Sequence, residues 1–595
     1  VKRAWTRVEE GLLVACLAAI VAIPLLEAFL RRTANIGISG SAALVQHLTL
    51  FASMMGSALA ARDGKLLALF SLPSLFGPRL QAVARFASGT LAAAVSAVLC
   101  LASVQLVATE RDAGSIIAHG IPVWTAQAIL PAGFLLIALR LARHAATSLP
   151  TRAAALAIAL TVALVATKLP ASLASNGAPF VLAACALMGA PVFAIIAGIA
   201  LVLFAGQGAP LASVPLDHYR MVVNPTLPTI PLFALAGYLF AESGAPRRLI
   251  EVFDAFFGRM RGGAAIATVL ACTFFTSFTG ASGVTILALG GLVMPLLLAK
   301  GYTPRTALGL VTAAGLPGTL LMPALPLILY AIVAGVGIRE MFLAGVLPAL
   351  LMLAIVASWG MARQPRAAPA GGFDGARARA ALAAAKWELL LPLVPVAALS
   401  GGWATPVETA ALTALLALVV TTVAHRDLSI TRDVPRVGVE CGLIVGGMLL
   451  ILGVVLGLTD CLVDAQVPDR LMAWVRETVG SRTVFLLALN VFLLLAGCVM
   501  EIYPAILVLV PLLAHLGPLF DVHPLHLGAI FLANMELGYL TPLVGLNLFF
   551  SSYRFGKPVL DIFRAVLPVF FAVAAGVLVV TYVPWLSTAL PSAFR

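Results

Sequence analysis

Two stretches of this 595-residue chain, about 220 residues apart, read as the same device built twice, each opening on small and polar residues inside apolar sequence. The first runs from Thr279 to Pro326. It opens on TGASGVT, where Thr279, Gly280, Ser282, Gly283 and Thr285, with Thr276 and Ser277 just before, crowd hydroxyls and glycines between apolar flanks. It closes on GLPGTLLMP, with Gly315, Gly318, Thr319 and Pro323. The second runs from Met500 to Asn547. It opens on Glu501 and Pro504, either side of Tyr503, and closes on Asn534, Glu536, Gly538, Thr541, Pro542, Gly545 and Asn547. In each, the spacing predicts a helix ending near Pro295 or Pro511, a Pro-started helix at Pro304 or Pro524, and a break at Pro323 or Pro542. The matched prolines stand 216, 220 and 219 residues apart.

Hydroxyls and backbone carbonyls freed at a break are hard oxygen ligands, suited to a hard cation such as Na+. Helix N-termini at the same turn favour an anion. Gly, Ser and Thr also serve plain helix packing in membranes, so the first cluster alone fits either use. The repetition favours a site, because paired Gly/Pro-interrupted apolar segments mark a transporter's binding region. Glu501 and Glu536 are ionisable groups in apolar surroundings, which is costly and usually functional. They read as ligands or as helix-to-helix hydrogen-bonding groups.

The elements that must position these residues follow from composition. Hydrophobic residues make up 62% of the chain and charged residues 10%. Soluble domains carry roughly 45–50% and about 25%. The chain therefore reads as an all-α polytopic membrane protein, with apolar runs repeatedly exceeding the roughly 20 residues that span a bilayer. A polar turn inside the membrane must be buried or line a cavity, so each opening cluster is expected at the tip of a re-entrant helical hairpin.

The net charge of +12 does not imply nucleic acid, because Lys and Arg gather in cytoplasmic loops of membrane proteins. Spans near 9–30, 41–61, 83–109 and 121–142 separate five polar segments. The odd ones take Lys2, Arg3, Arg7, Arg62, Lys65, Arg79, Arg85, Arg140, Arg143 and Arg152; the even ones take Arg31, Arg32 and Arg111. That bias puts the N-terminus in the cytoplasm. No cleavable signal pattern is present. The seven cysteines are scattered without a CxxC, so neither a metal cluster nor a disulfide framework is expected.

Residues 1–148 read as a four-helix membrane unit with a basic interfacial stretch over 61–81. Residues 149–174 read as a connector transmembrane helix, and 175–595 as a larger transporter unit. Within it, repeat one covers about 220–362, a basic cytoplasmic loop about 363–386, and repeat two about 387–595. An amphipathic surface helix precedes each repeat, RRLIEVFDAFFGRMRGG from Arg247 and DRLMAWVRETVGSR from Asp469. Enzyme readings fail. GASG at Gly280–Gly283 resembles the nucleophile motif of rhomboid intramembrane serine proteases, a remote alternative. The later histidines, His425, His515, His523 and His526, begin more than 140 residues on, and neither repeat would be explained. There is no Walker motif and no HExxH.

Several segments together resemble the tripartite ATP-independent periplasmic (TRAP) transporters. TSFTGASGVTILALGGLVMP and LAKGYTPRTALGLVTAAGLPGTLLMPALP are similar to the large membrane subunit's first hairpin and break. GGWATPVETAAL from Gly401 is similar to its G-x-F-T-P-T-E-A-A-A element, and LGAIFLANMELGYLTPLVGLNLFFSS from Leu527 to its second break. LVQHLTLFASMMGSALAARDGKLLAL from Leu44 resembles the small membrane subunit. The resemblance implies a fused small and large subunit forming an elevator-type transporter with inverted repeats. It implies Na+ as coupling ion with no other cofactor, a bacterial inner-membrane location and import of a small organic anion such as a carboxylate or sugar acid. It also implies a periplasmic substrate-binding protein as partner. On it, Thr279, Gly280, Ser282, Gly283 and Thr285 map to the first tip, and Gly315, Gly318, Thr319 and Pro323 to the first break. Glu501 and Pro504 map to the second tip, and Gly538, Thr541, Pro542, Gly545 and Asn547 to the second break.

Two departures stand out. The family's first tip is richer in serine, and its first break reads P-P-S-I/L-P where this chain has MPALP. Weaker cation binding is therefore expected in the first copy. The alternatives are an ion-coupled carboxylate transporter of similar design that needs no binding protein, and a scaffold that has lost transport.

Overall fold

The computed structural model describes residues 2–68, 77–146, 148–166, 180–364, 374–542 and 545–594. Among them the regular elements are helices. Eleven are long and apolar enough to cross a membrane, or up to 13 if each bent pair is one span. The chain is a multi-pass membrane protein. The helices used below are α1 (Lys2–Thr33), α2 (Ser41–Asp63), α3 (Pro78–Ala113), α4 (Ile129–His144), α5 (Leu149–Ala166), α6 (Ser213–Val222), α7 (Ala245–Phe257), α8 (Gly263–Thr279), α9 (Ser282–Ala299), α10 (Pro304–Ala313) and α11 (Leu325–Val333). They continue with α12 (Asp433–Asp464), α13 (Arg482–Val499), α14 (Ile502–Leu516), α15 (Pro524–Gly538), α16 (Leu546–Phe555) and α17 (Val559–Tyr582).

The chain folds as two compact units. One runs to Pro231 and takes in Gly438–Leu471; the other holds Leu232–Val437 and the chain from Met472 on. In the first unit α1 to α4 pack together, and α5 packs along α3 and α4. Small residues let α2 meet α12 backbone to backbone. A Cβ on Gly56 would lie 2.1 Å from the Gly442 carbonyl oxygen. The Ser57 hydroxyl donates to the Gly446 carbonyl at 2.8 Å. Close small-residue approach replaces the hydrophobic drive that lipid removes. His47 Nε2 and the Tyr219 hydroxyl, 2.9 Å apart, tie α2 to α6. Residues 167–174 of the expected connector and the following 175–179, residues 69–76 of the basic stretch and 365–373 of the expected loop lie outside the described residues.

In the second unit the first surface helix is α7, shorter than the stretch read from the sequence. It ends at Phe257, and Gly262 then takes the left-handed conformation at φ +77, open to glycine without strain. Its charged side is held by ion pairs. Arg248 reaches Asp427 at 2.6 Å and the fully buried Glu388, and Arg377 reaches Asp254 at 2.7 Å. Burial pushes the Asp427 carboxyl up, but the Arg248 guanidinium and the Gly244 N–H hold it below its ordinary range. The second surface helix is Val467–Thr478.

The helix starts agree with the prolines and two helix ends do not. Thr303 caps α10 by accepting the Thr306 N–H at 3.3 Å, with Pro304 in the first turn. His523 Nδ1 accepts the Leu525 N–H at 3.2 Å ahead of Pro524. Pro295 and Pro511, expected near helix ends, lie inside α9 and α14, which run to Ala299 and Leu516. A proline forfeits one ladder bond, and a packed membrane interior tolerates that loss.

The breaks fall where expected. After α10 comes a 3-10 turn, Leu316–Leu320, and then α11, bent 42° from the preceding segment. α15 ends at Gly538 and α16 begins at Leu546.

Candidate functional site

Hairpin one is α8, a two-residue reversal and α9. Gly280 makes the reversal at φ +69, its N–H bonded to the Thr276 carbonyl at 2.7 Å. A side chain there would be strained, and its Cβ would stand 2.8 Å from the Tyr503 hydroxyl. Hairpin two, α13 and α14, turns instead through extended Met500 and Glu501.

Immediately after the first tip, Ser282 is buried and serves two partners from the second break. Its hydroxyl donates to Glu536 Oε2 at 2.7 Å, and Asn547 Nδ2 donates to Ser282 Oγ at 3.0 Å. These residues are 254 and 265 positions from Ser282 in the chain. Glu536 is 2% exposed. Among the described residues its Oε1 accepts no hydrogen bond and no Lys, Arg or His pairs with it. Thr319 stands beside this carboxylate, its hydroxyl donating to the Leu316 carbonyl at 3.0 Å.

Around this core the Thr276 and Thr285 hydroxyls meet at 2.6 Å. Gly315 leaves room for them: its Cβ would lie 2.8 Å from Thr276 Oγ1 and 3.3 Å from Ser282 Cβ. Gly318 lies against α8, and Gly283 takes the ring of Phe550 from α16. Hairpin two joins through two tyrosines. The Tyr503 hydroxyl donates to the Gly280 carbonyl at 3.0 Å, and the Ile502 N–H donates to the Tyr539 hydroxyl. The first tip, both breaks and the start of α14 therefore meet.

Other residues singled out from the sequence sit apart from this core. Asn534 donates to Asn490 Oδ1 at 2.7 Å, and Thr581 donates to the same oxygen at 3.0 Å, a separate buried knot between α13, α15 and α17. Thr541 donates to Cys498 Sγ at 2.8 Å and to its own helix end at 2.7 Å. Thr279 is half-buried and makes only long contacts within its own turn. Pro323 lies in the first break, Pro504 is buried in the first turn of α14, and Pro542 is exposed. Glu501 is half-buried just before α14, near Tyr503 and Tyr539. A Cβ on Gly545 would meet the Thr541 carbonyl at 2.0 Å.

Sequence reasoning missed Asn490, Thr581 and the reach of both tyrosines. Asn490 had a legible signal, as the lone amide in LLALNVFLLL. The tyrosines had none, because their partners lie on other elements.

The core gathers a hydroxyl, an amide and a carboxyl group with no Lys, Arg or His partner among the described residues. An unpaired buried carboxylate is costly, and a bound monovalent cation would offset that cost. The oxygen set fits a hard cation. Among the described residues no three His, Cys, Asp or Glu side chains form a metal-holding group.

Comparison with known proteins bears on this arrangement. Residues 177–586 match the family described as tripartite ATP-independent periplasmic transporter, DctM component. Residues 20–151 match the DctQ component of the same transporters. The large permease protein DctM of a C4-dicarboxylate TRAP transporter from Pseudomonas aeruginosa is 34% identical over 378 residues, 63% of this chain and 87% of that one. Its namesake from Rhodobacter capsulatus is 30% identical over 66% of this chain and 92% of its own. The isethionate TRAP transporter permease protein DctMQ of Oleidesulfovibrio alaskensis is 30% identical over 62% of this chain and 60% of its own. These relatives are permeases, and both membrane components occur here in order along one polypeptide. The chain belongs to the TRAP transporter family, as a fusion of its small and large membrane subunits.

Proposed function

We propose that this protein is a Na+-coupled secondary importer of a small organic anion, working by an elevator movement of the hairpin-bearing part. The observation that carries the reading is the buried union of Ser282, Glu536 and Asn547. It joins the first tip to the second break around a carboxyl group with no Lys, Arg or His partner among the described residues. Ser282 bonds to both Glu536 and Asn547, and a cation held beside the Glu536 carboxylate would supply the missing charge. The organic anion would then meet a site whose net charge has been neutralised.

The cargo class follows from the relatives. Their names specify C4-dicarboxylate and isethionate transport. We take the substrate of this chain to be a small carboxylate or sulfonate, delivered by a periplasmic substrate-binding protein. The basic residues of the odd segments favour an N-terminus in the cytoplasm and a place in a bacterial inner membrane. A membrane potential suffices as the energy source. One charge crossing 100 mV is worth about 2.3 kcal/mol, so two net charges support roughly a thousandfold accumulation.

The test is uptake of labelled C4-dicarboxylates and isethionate into proteoliposomes holding the full chain. Uptake is expected with both an inward Na+ gradient and the binding protein, and not with K+ in place of Na+. Uptake indifferent to Na+ and to the binding protein would sink the proposal.

A further inference from the structure

From the core, α16 runs along α9 and carries polar residues down one side. Asn547, Ser551 and Arg554 fall at i, i+4 and i+7, the spacing of a single helix face. Asn547 bonds to Ser282 of α9 at 3.0 Å. The Ser551 and Thr312 hydroxyls meet at 2.8 Å, which ties the same face to α10. Arg554 ends this face and is the one charged residue of α16. Its guanidinium rests on the backbone of α9. A Cβ on Gly291 would stand 1.9 Å from Arg554 Nη2 and 2.9 Å from its Cζ, and one on Gly290 would stand 3.5 Å from its Cγ. The two glycines leave the place that the side chain occupies.

This guanidinium has no protein partner. Among the described residues no acid, carbonyl or hydroxyl bonds to Arg554. The arginines nearest the adjoining helix starts do have partners. Arg564 pairs with Asp561 at 3.7 Å, and Arg305 donates to the Arg564 carbonyl at 2.9 Å. Arg554 is exposed. An arginine on the outgoing half of a broken membrane helix is costly unless it meets an anion or lines a polar path. Seven residues of helix place it about 10 Å beyond Asn547. The ends of α9 and α16 and the starts of α10 and α17 carry Lys300, Lys557, Arg305 and Arg564, the basic bias of a cytoplasmic face.

We infer that Arg554 is a binding residue for departing cargo, a station that holds its carboxylate or sulfonate on the cytoplasmic side of the core. The inference rests on the importer reading above and names a second place along the same route. A guanidinium suits such an oxyanion because its planar fork offers paired N–H donors. The core needs a bound cation before it can accept an anion. Arg554 carries its own charge, so it can take the anion when Na+ leaves.

The test uses proteoliposomes of phosphatidylcholine holding the full chain, with the binding protein and Na+ outside. Only molecules with their periplasmic face outward then contribute to uptake of labelled succinate or isethionate. The lumen is loaded with rising amounts of the same anion, unlabelled, and the internal concentration that halves the initial rate is read. Arg554→Gln is expected to raise that concentration about 10-fold, the scale of one lost charged hydrogen-bonding group. Arg554→Lys is expected to raise it by less than about 3-fold, because the charge remains. In both, the external Na+ midpoint and the external half-saturation stay at wild-type values, which a general distortion of the site would move. Arg564→Gln, which removes a paired arginine, is expected to change none of the three. An Arg554→Gln with the wild-type internal value overturns the station and leaves the transport reading standing. So does an Arg564→Gln with an equal rise. Adding phosphatidylglycerol separates a lipid headgroup from cargo. A wild-type internal value that moves with phosphatidylglycerol, and stops moving in Arg554→Gln, assigns the arginine to lipid and overturns the station. A wild type with no Na+-driven, binding-protein-dependent uptake of either anion overturns both.

Discussion

Gly318 and Gly538 occupy matched places in the two broken helices, and each lies backbone-close to the first helix of its own hairpin. A Cβ on Gly318 would stand 2.3 Å from the Thr273 carbonyl oxygen of α8; one on Gly538 would stand 2.6 Å from Gly497 of α13. The polar groups around them differ. The first half offers paired hydroxyls, Thr276 with Thr285, and Thr273 donating to the Ala314 carbonyl at 3.2 Å. The second half spends Asn534 on Asn490 and Thr541 on Cys498, and sends Glu536 and Asn547 across to Ser282. The halves share a scaffold, while the candidate site is built from both. The acid comes from the second half and its hydroxyl partner from the first.

That division can be broken most directly at the two acids. Glu536→Ala should cut Na+-driven uptake roughly 100-fold, the scale of losing a charged buried hydrogen-bonding group. Glu501→Gln should cost less than about 10-fold, since Glu501 is outside the core. The reverse order would move the site to the second tip. The shared scaffold is tested next. Gly318→Ala and Gly538→Ala should each destabilise by about 1–3 kcal/mol through overpacking, with similar losses in Tm. A loss confined to one of them would end the equivalence.

A finer cut separates two hydroxyls that look alike in the sequence. Ser282→Ala should raise the Na+ concentration for half-maximal uptake by about 10-fold, because Glu536 loses its donor. Thr541→Ala should change it by less than about 2-fold, since Thr541 serves its own helix end and a thiol. Equal effects would return Thr541 to the site. The smallest effect is expected for Thr276→Val, about 1 kcal/mol of stability for one lost hydroxyl pair, read as Tm with little change in the Na+ midpoint.

Local chemistry wrote much of this into the chain. Pro304 and Pro524 start their helices because proline suits a first turn, and Gly280 turns the first tip because φ is positive there. Ser282, Glu536 and Asn547 are recognisable as polar residues in apolar runs. Their meeting is not recognisable, since nothing at Ser282 indicates a partner 254 positions away. Counting hydroxyls at the first tip predicted a depleted copy. That count treats the copies as self-contained, whereas Ser282 bonds to Glu536 and Asn547 of the other half. Pro295 and Pro511 misled for a related reason: a proline's cost depends on neighbours that the local sequence does not list.

A helix interrupted at its centre is ordinarily the softest place in a bundle, with peptide groups released from their ladder. Here the interruption is splinted. Gly318 and Gly538 set each interrupted strut so close to its hairpin's leading helix that the two cannot slide past one another without collision. Stiffness is thus kept at the two interruptions, and on the proposed reading the compliance that movement needs falls to the segments outside the splints.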